Sequence, residues 1–522
     1  MATVSEPTLS PVGATRKQWL AVIGALLGAF MAILDISITN SSLQDIQGGL
    51  GATLDEGAWI STAYLVAEII VIPLTGYFSQ VFSLRKYLAW NAVIFVIASI
   101  LCGLARSLNA MIFFRILQGM SGGILIPICI TIIFSYLPRH QQPIGLTCFG
   151  LAATFAPCIG PTIGGWLTVT YSWPYIFFLN LFPGILLVLL VLYAIDESPM
   201  KLNMLKQGDW FGIASMALAL GCLTIVLEEG VRKDWFGSSL ITGLSYVCAI
   251  SFASFLWIEL KSKNPFINLR LLKRRNFLLS TILATIFGYG LYGSIYMLPY
   301  FLASVPRLDA QQIGNIILWQ GLPQLAVLPF IPKLVKTFDS RILLAIGFLL
   351  FGVSAIMNSE LTRDWAYDQF FWSQIVRALG QPFIITPLST IAYVGIEPSE
   401  MGSASGLNNM MRNLGGSIGI GTLGAIFDHQ YHLHFTRIAE STSKFSNAVQ
   451  LQLIYRQAFL GERSPVAGSK QVIATIFGSM NKESLVMSFG DCFFVIGALF
   501  IMGAFLLFFT KKASGVSAVG SH

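Results

Sequence analysis

The sequence predicts an all-α polytopic membrane protein. Three observations carry this. Of the 522 residues, 55% are hydrophobic and only 11% charged, with a mean hydropathy of +0.71. Apolar runs of membrane-crossing length, for which roughly 20 residues suffice, recur along nearly the whole chain. The Lys and Arg fall mainly in alternate loops between those runs. A soluble chain of this size would alternate charged surface with short core segments. In hydrocarbon the backbone must satisfy itself, so the runs read as helices. The pI of about 9.0 then follows from basic loops and needs no nucleic acid.

The expected spans, in order, cover residues 18–40, 57–78, 85–105, 109–136, 142–168, 172–195, 209–228, 237–259, 277–302, 310–332, 341–358, 366–394, 404–427 and 485–510. The first follows Arg16/Lys17 and a polar start, and it is long enough to stay as a span, so no cleavable leader is expected. Arg85/Lys86 lie between spans two and three, and Arg139 lies between four and five. Lys201/Lys206 precede span seven, and the cluster from Lys261 to Arg275 follows span eight. Lys333/Lys336/Arg341 and Lys511/Lys512 complete one side. The short loops of the other side hold only Arg106, Arg232, Lys233, Arg307 and Arg363. The richer side is expected to be cytoplasmic, with both termini inside. The polar segment 428–484 is expected as the one sizeable extracytoplasmic loop. It carries Lys and Arg on the poorer side, which long loops tolerate. All seven cysteines fall in or beside apolar segments without a CxxC pair, as small buried residues do.

A faint repeat orders these spans. "FRILQGMSGGILIPICITIIFSYLPRHQQPIG" around span four and "VRALGQPFIITPLSTIAYVGIEPSEMG" around span twelve each open on an intramembrane Arg, Arg115 or Arg377. Each continues with Gly and Gln and then two equally spaced prolines, Pro127/Pro138 and Pro387/Pro398. Two six-span bundles with two inserted helices explain the offset of about half the chain. The expected divisions are a tail at 1–17, an N-terminal bundle at 18–195, and inserted helices with a cytoplasmic linker at 196–276. A C-terminal bundle at 277–510 and a tail at 511–522 follow.

"LDISITNSSLQDI", "RILQGMSGG", "APCIGPTIGG", "WPYIFFLNLFPG", "GDWFGI", "NPFINLRLLKRRNF" and "SGLNNMMRNLGGSIG" run from span one to span thirteen. Together they resemble the drug:proton antiporter branch of the major facilitator superfamily, the fourteen-span EmrB/QacA type. "APCIGPTIGG" is similar to its GPxxGG antiporter motif and is the most specific of the set. The resemblance implies the major facilitator fold, with a substrate site at the midplane between two parallel six-helix repeats. It also implies proton-coupled export of hydrophobic or amphipathic compounds from the bacterial cytoplasmic (inner) membrane. A periplasmic adaptor and an outer-membrane channel are conceivable partners by analogy. Two departures stand out. In "GYFSQVFSLRKYL" Gln80 stands where the family usually has Asp and Ser83 where it has its second Gly. "SSLQD" replaces the usual apolar-Ala-Leu-Pro end in span one. The second departure leaves room for a dedicated exporter of one endogenous metabolite such as a siderophore, fatty acid or peptide.

Intramembrane ionisable residues usually face a cavity or a partner. Asp35, Glu68, Arg115, Arg377 and Arg412 are the candidates. Gly24, Gly28, Asp35, Thr39 and Ser42 share a helical stripe whose small and polar character marks a protein-facing or water-facing side. Asp35 and Glu68 read either as proton carriers modulated by Arg115 or as permanent partners of it that orient helices. Pro157 and Pro161 each remove a helical hydrogen bond, and Gly160, Gly164 and Gly165 let a neighbour approach. That combination fits a seal or, equally by physics, a kinked packing helix. Thr39, Asn40, Gln118, Arg377, Gln381, Asn408 and Arg412 are taken to line a substrate cavity. "DHQYHLHF" lacks a fourth ligand for a metal, so no metal is expected. No cofactor is expected beyond the proton gradient: the chain holds no Walker-type phosphate loop, and one charge crossing 100 mV releases about 2.3 kcal/mol. That exceeds the roughly 1.4 kcal/mol cost of a tenfold solute gradient. No compact Ser/His/Asp set or metal-ligand cluster suggests an enzyme.

Overall fold

The computed structural model describes residues 13–261, 267–308, 310–365, 367–397, 400–441 and 465–511. All regular structure among them is helical. The first bundle comprises α1 (Arg16–Ser41), α2 (Leu43–Leu50), α3 (Leu54–Val71), α4 (Thr75–Val81), α5 (Leu84–Gly103), α6 (Leu108–Tyr136), α7 (Gln142–Thr170), α8 (Tyr175–Phe178) and α9 (Leu181–Ala194). The inserted pair is α10 (Trp210–Glu229) and α11 (Ser239–Lys261). The second bundle comprises α12 (Arg275–Ser304), α13 (Ala310–Val327), α14 (Ile331–Thr337), α15 (Ser340–Met357), α16 (Tyr367–Gly380), α17 (Pro382–Tyr393), α18 (Met401–Ser441) and α19 (Pro465–Leu506). Among the described residues, twelve helical stretches are long and apolar enough to cross a bilayer, and the bent pair α3/α4 makes a thirteenth. The remaining expected span, 404–427, lies in α18, a helix of 41 residues whose apolar content is diluted by Gly, Ser, Asn and His.

Helix starts follow local chemistry. α1 opens on a capping box in which Thr15 and Gln18 bond reciprocally, and α3 on one between Thr53 and Glu56. Span two departs from the straight helix expected at 57–78. It breaks between Val71 and Thr75 with a bend of 61°, at Pro73, which has no N–H to give the ladder. In contrast, α7 runs unbroken through Pro157 and Pro161.

The expected loop 428–484 is helical at both described ends. α18 continues to Ser441 and α19 begins at Pro465, while residues 442–464 lie outside the described set, as do Pro398 and residues 1–12 and 512–522 of the tails. The polar sequence misleads because the two extensions pack on each other. Tyr431 donates to Asn481 Oδ1 (2.6 Å), His434 Nε2 meets Asp491 Oδ2 (2.7 Å), and the rings of Phe435 and Phe477 lie 5.3 Å apart.

Glycines set how closely the helices approach. A Cβ on Gly119 would lie 2.4 Å from the Tyr64 carbonyl oxygen, and one on Gly123 would lie 2.9 Å from Glu68 Cγ. α3 and α6 therefore meet backbone to backbone. A Cβ on Gly160 would reach 2.6 Å from Ser37 Cβ, and one on Gly164 2.7 Å from Ser41 Oγ, which seats α7 on α1. The two bundles meet along a seam. Near the Lys/Arg-rich side, a Cβ on Gly76 would lie 2.6 Å from the Gly402 carbonyl carbon. Thr131 and Ser405 hydroxyls are 3.3 Å apart, as are those of Thr147 and Thr386. Further along, α13 lies on α7, with Gly314 against Thr162 and Gly321 against Phe155. α10 touches both bundles, through Gly221 against Ile70 of α3 and Leu227 against Gly421 of α18.

Gly119→Ala is expected to destabilise the detergent-solubilised protein by about 1–3 kcal/mol through overpacking. Gly243→Ala, inside α11 with open space around its Cβ, should be neutral or stabilise by up to about 1 kcal/mol. Thermal unfolding of both variants compares them.

Candidate transport site: buried charges within and between the bundles

Asp35 lies in the C-terminal half of α1 and is buried. Three donors from its own bundle converge on its carboxylate. Arg115 Nη1 reaches Oδ2 at 2.6 Å, while Gln118 Nε2 and Asn180 Nδ2 reach Oδ1 at 2.9 and 2.6 Å. Arg115 Nη1 also donates to Gln118 Oε1 (2.7 Å), and its Nε donates to the Ile60 carbonyl (3.1 Å). Ser99 Oγ accepts from Gln118 (2.7 Å) and Asn180 (3.3 Å). The guanidinium stands 4.3 Å from the centre of the Tyr64 ring and 5.9 Å from that of Phe177. This is a buried ion pair in which the carboxylate accepts three hydrogen bonds and the Nε and Nη1 of Arg115 have acceptors, the kind of support such a pair needs.

Glu68 lies two turns beyond Ile60 on α3, with Tyr64 between them. It too is buried, but its one hydrogen bond among the described residues comes from the other bundle and is long: Asn413 Nδ2 donates to Oε1 at 3.4 Å. Asn413 Oδ1 accepts from the Tyr292 hydroxyl of α12, also at 3.4 Å. Arg412, the neighbour of Asn413 on α18, is 9% exposed and its Nε has no partner among the described residues. Tyr64 Oη and Asn408 Nδ2 are likewise buried without one.

A third cluster lies where α7 meets α13 and α16. Arg377 stacks on Phe351 at 4.6 Å. Gln320, with its amide oriented by its partners, accepts from Arg377 Nε and Nη2 at 3.0 and 3.1 Å. Gln324 donates to Gln381 Oε1 (2.6 Å) and to the Gln320 carbonyl (2.7 Å), and it accepts from Thr154 across the seam. A cavity of about 540 Å³ opens beside the seam nearer the basic side. Its walls are apolar, among them Ile144, Leu151 and Leu328, with Lys333 and Lys336 also lining it.

The Major Facilitator Superfamily sequence profile matches residues 25–420. This chain belongs to the Major Facilitator Superfamily. Within the superfamily it belongs to the EmrB-type branch. It is 32% identical to the Colistin resistance protein EmrB of Acinetobacter baumannii, over 95% of this chain and 97% of that one. It is 29% identical to the Multidrug export protein EmrB of Escherichia coli K12, over 96% and 97%. It is 28% identical to the Fatty acid resistance protein FarB of Neisseria gonorrhoeae, over 91% and 92%. Among solved structures, the human organic anion transporter MFSD10 (TETRAN) superposes with a TM-score of 0.59 at 13% identity, covering 94% of this chain and 99% of that one. That likeness is one of fold.

On this superfamily fold, Asp35 and Arg115 form one cluster, and Glu68 stands apart at the seam. Gln118, expected in a substrate cavity, instead points into the first bundle and completes the Asp35 cluster. Thr39 is buried with no partner for its hydroxyl among the described residues, and Asn40 is exposed and accepts from Ser61 Oγ at 2.7 Å. Arg377 and Gln381 sit in the seam network, and Asn408 and Arg412 lie near Glu68 on α18. Pro157, Gly160, Pro161, Gly164 and Gly165 form the stretch of α7 that packs on α1. Sequence reasoning missed Asn180 and Ser99, single polar residues in apolar runs. It also missed Gln320, Gln324 and Asn413. Ser83, the departure from the family's second Gly, has φ of 70°, the left-handed region that favours glycine.

Asp35→Asn leaves Arg115 buried without a counter-charge and is expected to destabilise the protein by about 3 kcal/mol or more. Adding Arg115→Gln should recover part of that loss. A chemical-denaturation double-mutant cycle measures it, and strict additivity would contradict the pair.

Proposed function

We propose that this chain exports hydrophobic or amphipathic compounds by alternating access, coupled to proton entry, with Glu68 as the principal proton-carrying group. One observation carries the assignment: Glu68 has its partners on the opposite bundle. Coupling requires a group whose surroundings differ between the two states of the cycle. Every hydrogen-bond partner of Asp35 rides on its own bundle and moves with it. The surroundings of Glu68 change whenever α3 and α18 separate. As an anion it faces Arg412 and Asn413, and with those withdrawn a buried carboxylate lacks compensation. Asp35 and Arg115 then serve as the fixed pair that holds α1, α3 and α6 in register. The contacts between Gly76 and Gly402 and between Thr131 and Ser405 act as the closure at the basic side. α7, carrying the GPxxGG stretch, forms the wall against α13.

The EmrB relatives named for multidrug export and colistin resistance, together with the apolar cavity beside the seam, support export of amphipathic compounds. The basic loops orient both termini to the cytoplasm of a bacterial inner membrane. The paired extensions of α18 and α19 on the opposite side are the surface for an adaptor that would lead to an outer-membrane channel. FarB, named for fatty acid resistance, favours a second reading, a transporter dedicated to one class of metabolite.

In proteoliposomes, Glu68→Gln is expected to abolish accumulation of fluorescent amphipathic compounds driven by an imposed pH gradient, while the purified variant still binds them. Full gradient-driven transport by Glu68→Gln would remove Glu68 from the mechanism. Substrates spread across unrelated scaffolds, as opposed to one metabolite class, would decide between the two readings.

A further inference from the structure

Charge bookkeeping across the two bundles leaves one residue over. Among the described residues, the buried acidic and basic side chains of the first bundle are Asp35, Arg115 and Glu68, and Asp35 pairs with Arg115. The buried charged residues of the second bundle, among the described residues, are two arginines, Arg377 and Arg412, and no acid. Glu68 faces Arg412 across the seam. Arg377 has no carboxylate within ion-pair reach among the described residues.

The internal repeat sharpens this. Arg115 and Arg377 open the two copies of the same sequence pattern, each with a Gly and a Gln close behind. In the first copy α1 supplies Asp35. α12, the first helix of the second bundle, contains no Asp or Glu at all. Gln320 fills part of the gap with a neutral oxygen. A guanidinium has five N–H donors. Gln320 takes two of them, which leaves three without a partner among the described residues. Phe351 covers one face of the guanidinium. A full charge held at membrane depth by one amide is poorly compensated. The hydrogen bond from Thr154 to Gln324 covers the cluster across the seam. Parting of the bundles breaks that bond and opens the cluster.

We propose that Arg377, with Gln320 beside it, is the binding site for the anionic head group of an amphipathic substrate, such as a carboxylate, sulfonate or phosphate carried on an apolar body. The substrate supplies the counter-charge that the second bundle lacks. A planar guanidinium with free N–H groups matches such a head group by two parallel hydrogen bonds. The inference rests on the export reading and adds a charge preference to it.

Three probes of equal chain length test it on the full-length protein in neutral detergent: dodecanoate, dodecanol and dodecyltrimethylammonium. Binding is read by calorimetry and by the shift in unfolding temperature. Dodecanoate is expected to bind at least about tenfold tighter than the other two. Gln320→Glu places an internal counter-charge on Arg377, so the preference for dodecanoate should fall by about tenfold or more, while unfolding without ligand occurs no earlier than in the parent. Arg377→Lys keeps the charge but not the two parallel hydrogen bonds and should retain only part of the preference, and Arg377→Gln should lose it. Equal binding of all three probes by the parent overturns the proposal, as does an undiminished preference in Gln320→Glu. If gradient-driven transport of cationic and neutral compounds persists in either case, the export reading stands and the anion site alone fails.

Discussion

A guanidinium cannot rest in hydrocarbon without something to balance it, and the structure is organised around how each buried arginine meets that demand. Arg115 meets it inside one bundle. Asp35 balances its charge, the Ile60 carbonyl and Gln118 take further N–H groups, and Tyr64 covers its face. Gln118 and Asn180 in turn fill the lone pairs that Arg115 leaves on Asp35. With α1, α3, α5, α6 and the α8–α9 junction all contributing, the cluster ties the first bundle into a unit. The glycines at 119, 122 and 123 make it possible, because they let α3 approach α6 closely enough for a main-chain oxygen to meet a side chain of the facing helix.

The three arginines form a series. Arg115 has an acid within its own bundle, Arg412 faces an acid on the opposite bundle, and Arg377 has only an amide and an aromatic face. Internal pairing favours rigidity. Compensation from across the seam favours sensitivity to the distance between the bundles. Absent compensation favours a ligand. On the proposed roles, the same side-chain chemistry serves three ends, decided by where the counter-charge resides. This also explains how a pseudo-symmetric fold performs asymmetric work: both repeats keep the Arg, and only the first has the acid.

Much of this was legible in the sequence, and the remainder was hidden for physical reasons. Intramembrane charges are costly, so Asp35, Glu68, Arg115, Arg377 and Arg412 stand out against apolar surroundings, and the repeat pairs Arg115 with Arg377. Partners are harder to read. Asn180 and Ser99 are lone polar residues with no periodic signal, and Asn413 lies 345 positions from Glu68, so only the fold brings them together. Gln118 is expected in a substrate cavity, yet it shares a helix face with Arg115. That shared face is why it belongs to the interior cluster instead. Polarity also misled at 428–441, where a solvated helix and a loop have the same composition. The departure at Ser83 had a geometric meaning that composition could not convey, since the position demands positive φ.

α3 and α4 join these elements. Ile60 holds Arg115, Tyr64 lies under the guanidinium, Glu68 reaches the seam, and beyond the Pro73 bend Gly76 abuts Gly402 at the basic side. These sites lie along one bent helix. A helix transmits displacement well along its axis and poorly across a break, so the bend at Pro73 separates two regimes. Above it, α3 is fixed to the first bundle by Arg115 and the α6 glycines. Below it, α4 is pressed on α18, the same helix that carries Arg412 and Asn413. Movement of α18 away from the first bundle must therefore release Gly76 and change the surroundings of Glu68 together, while leaving the Asp35 pair undisturbed. This is a physical link of the kind coupling needs, a shared rigid element biased from two places, and it requires no rearrangement inside either bundle.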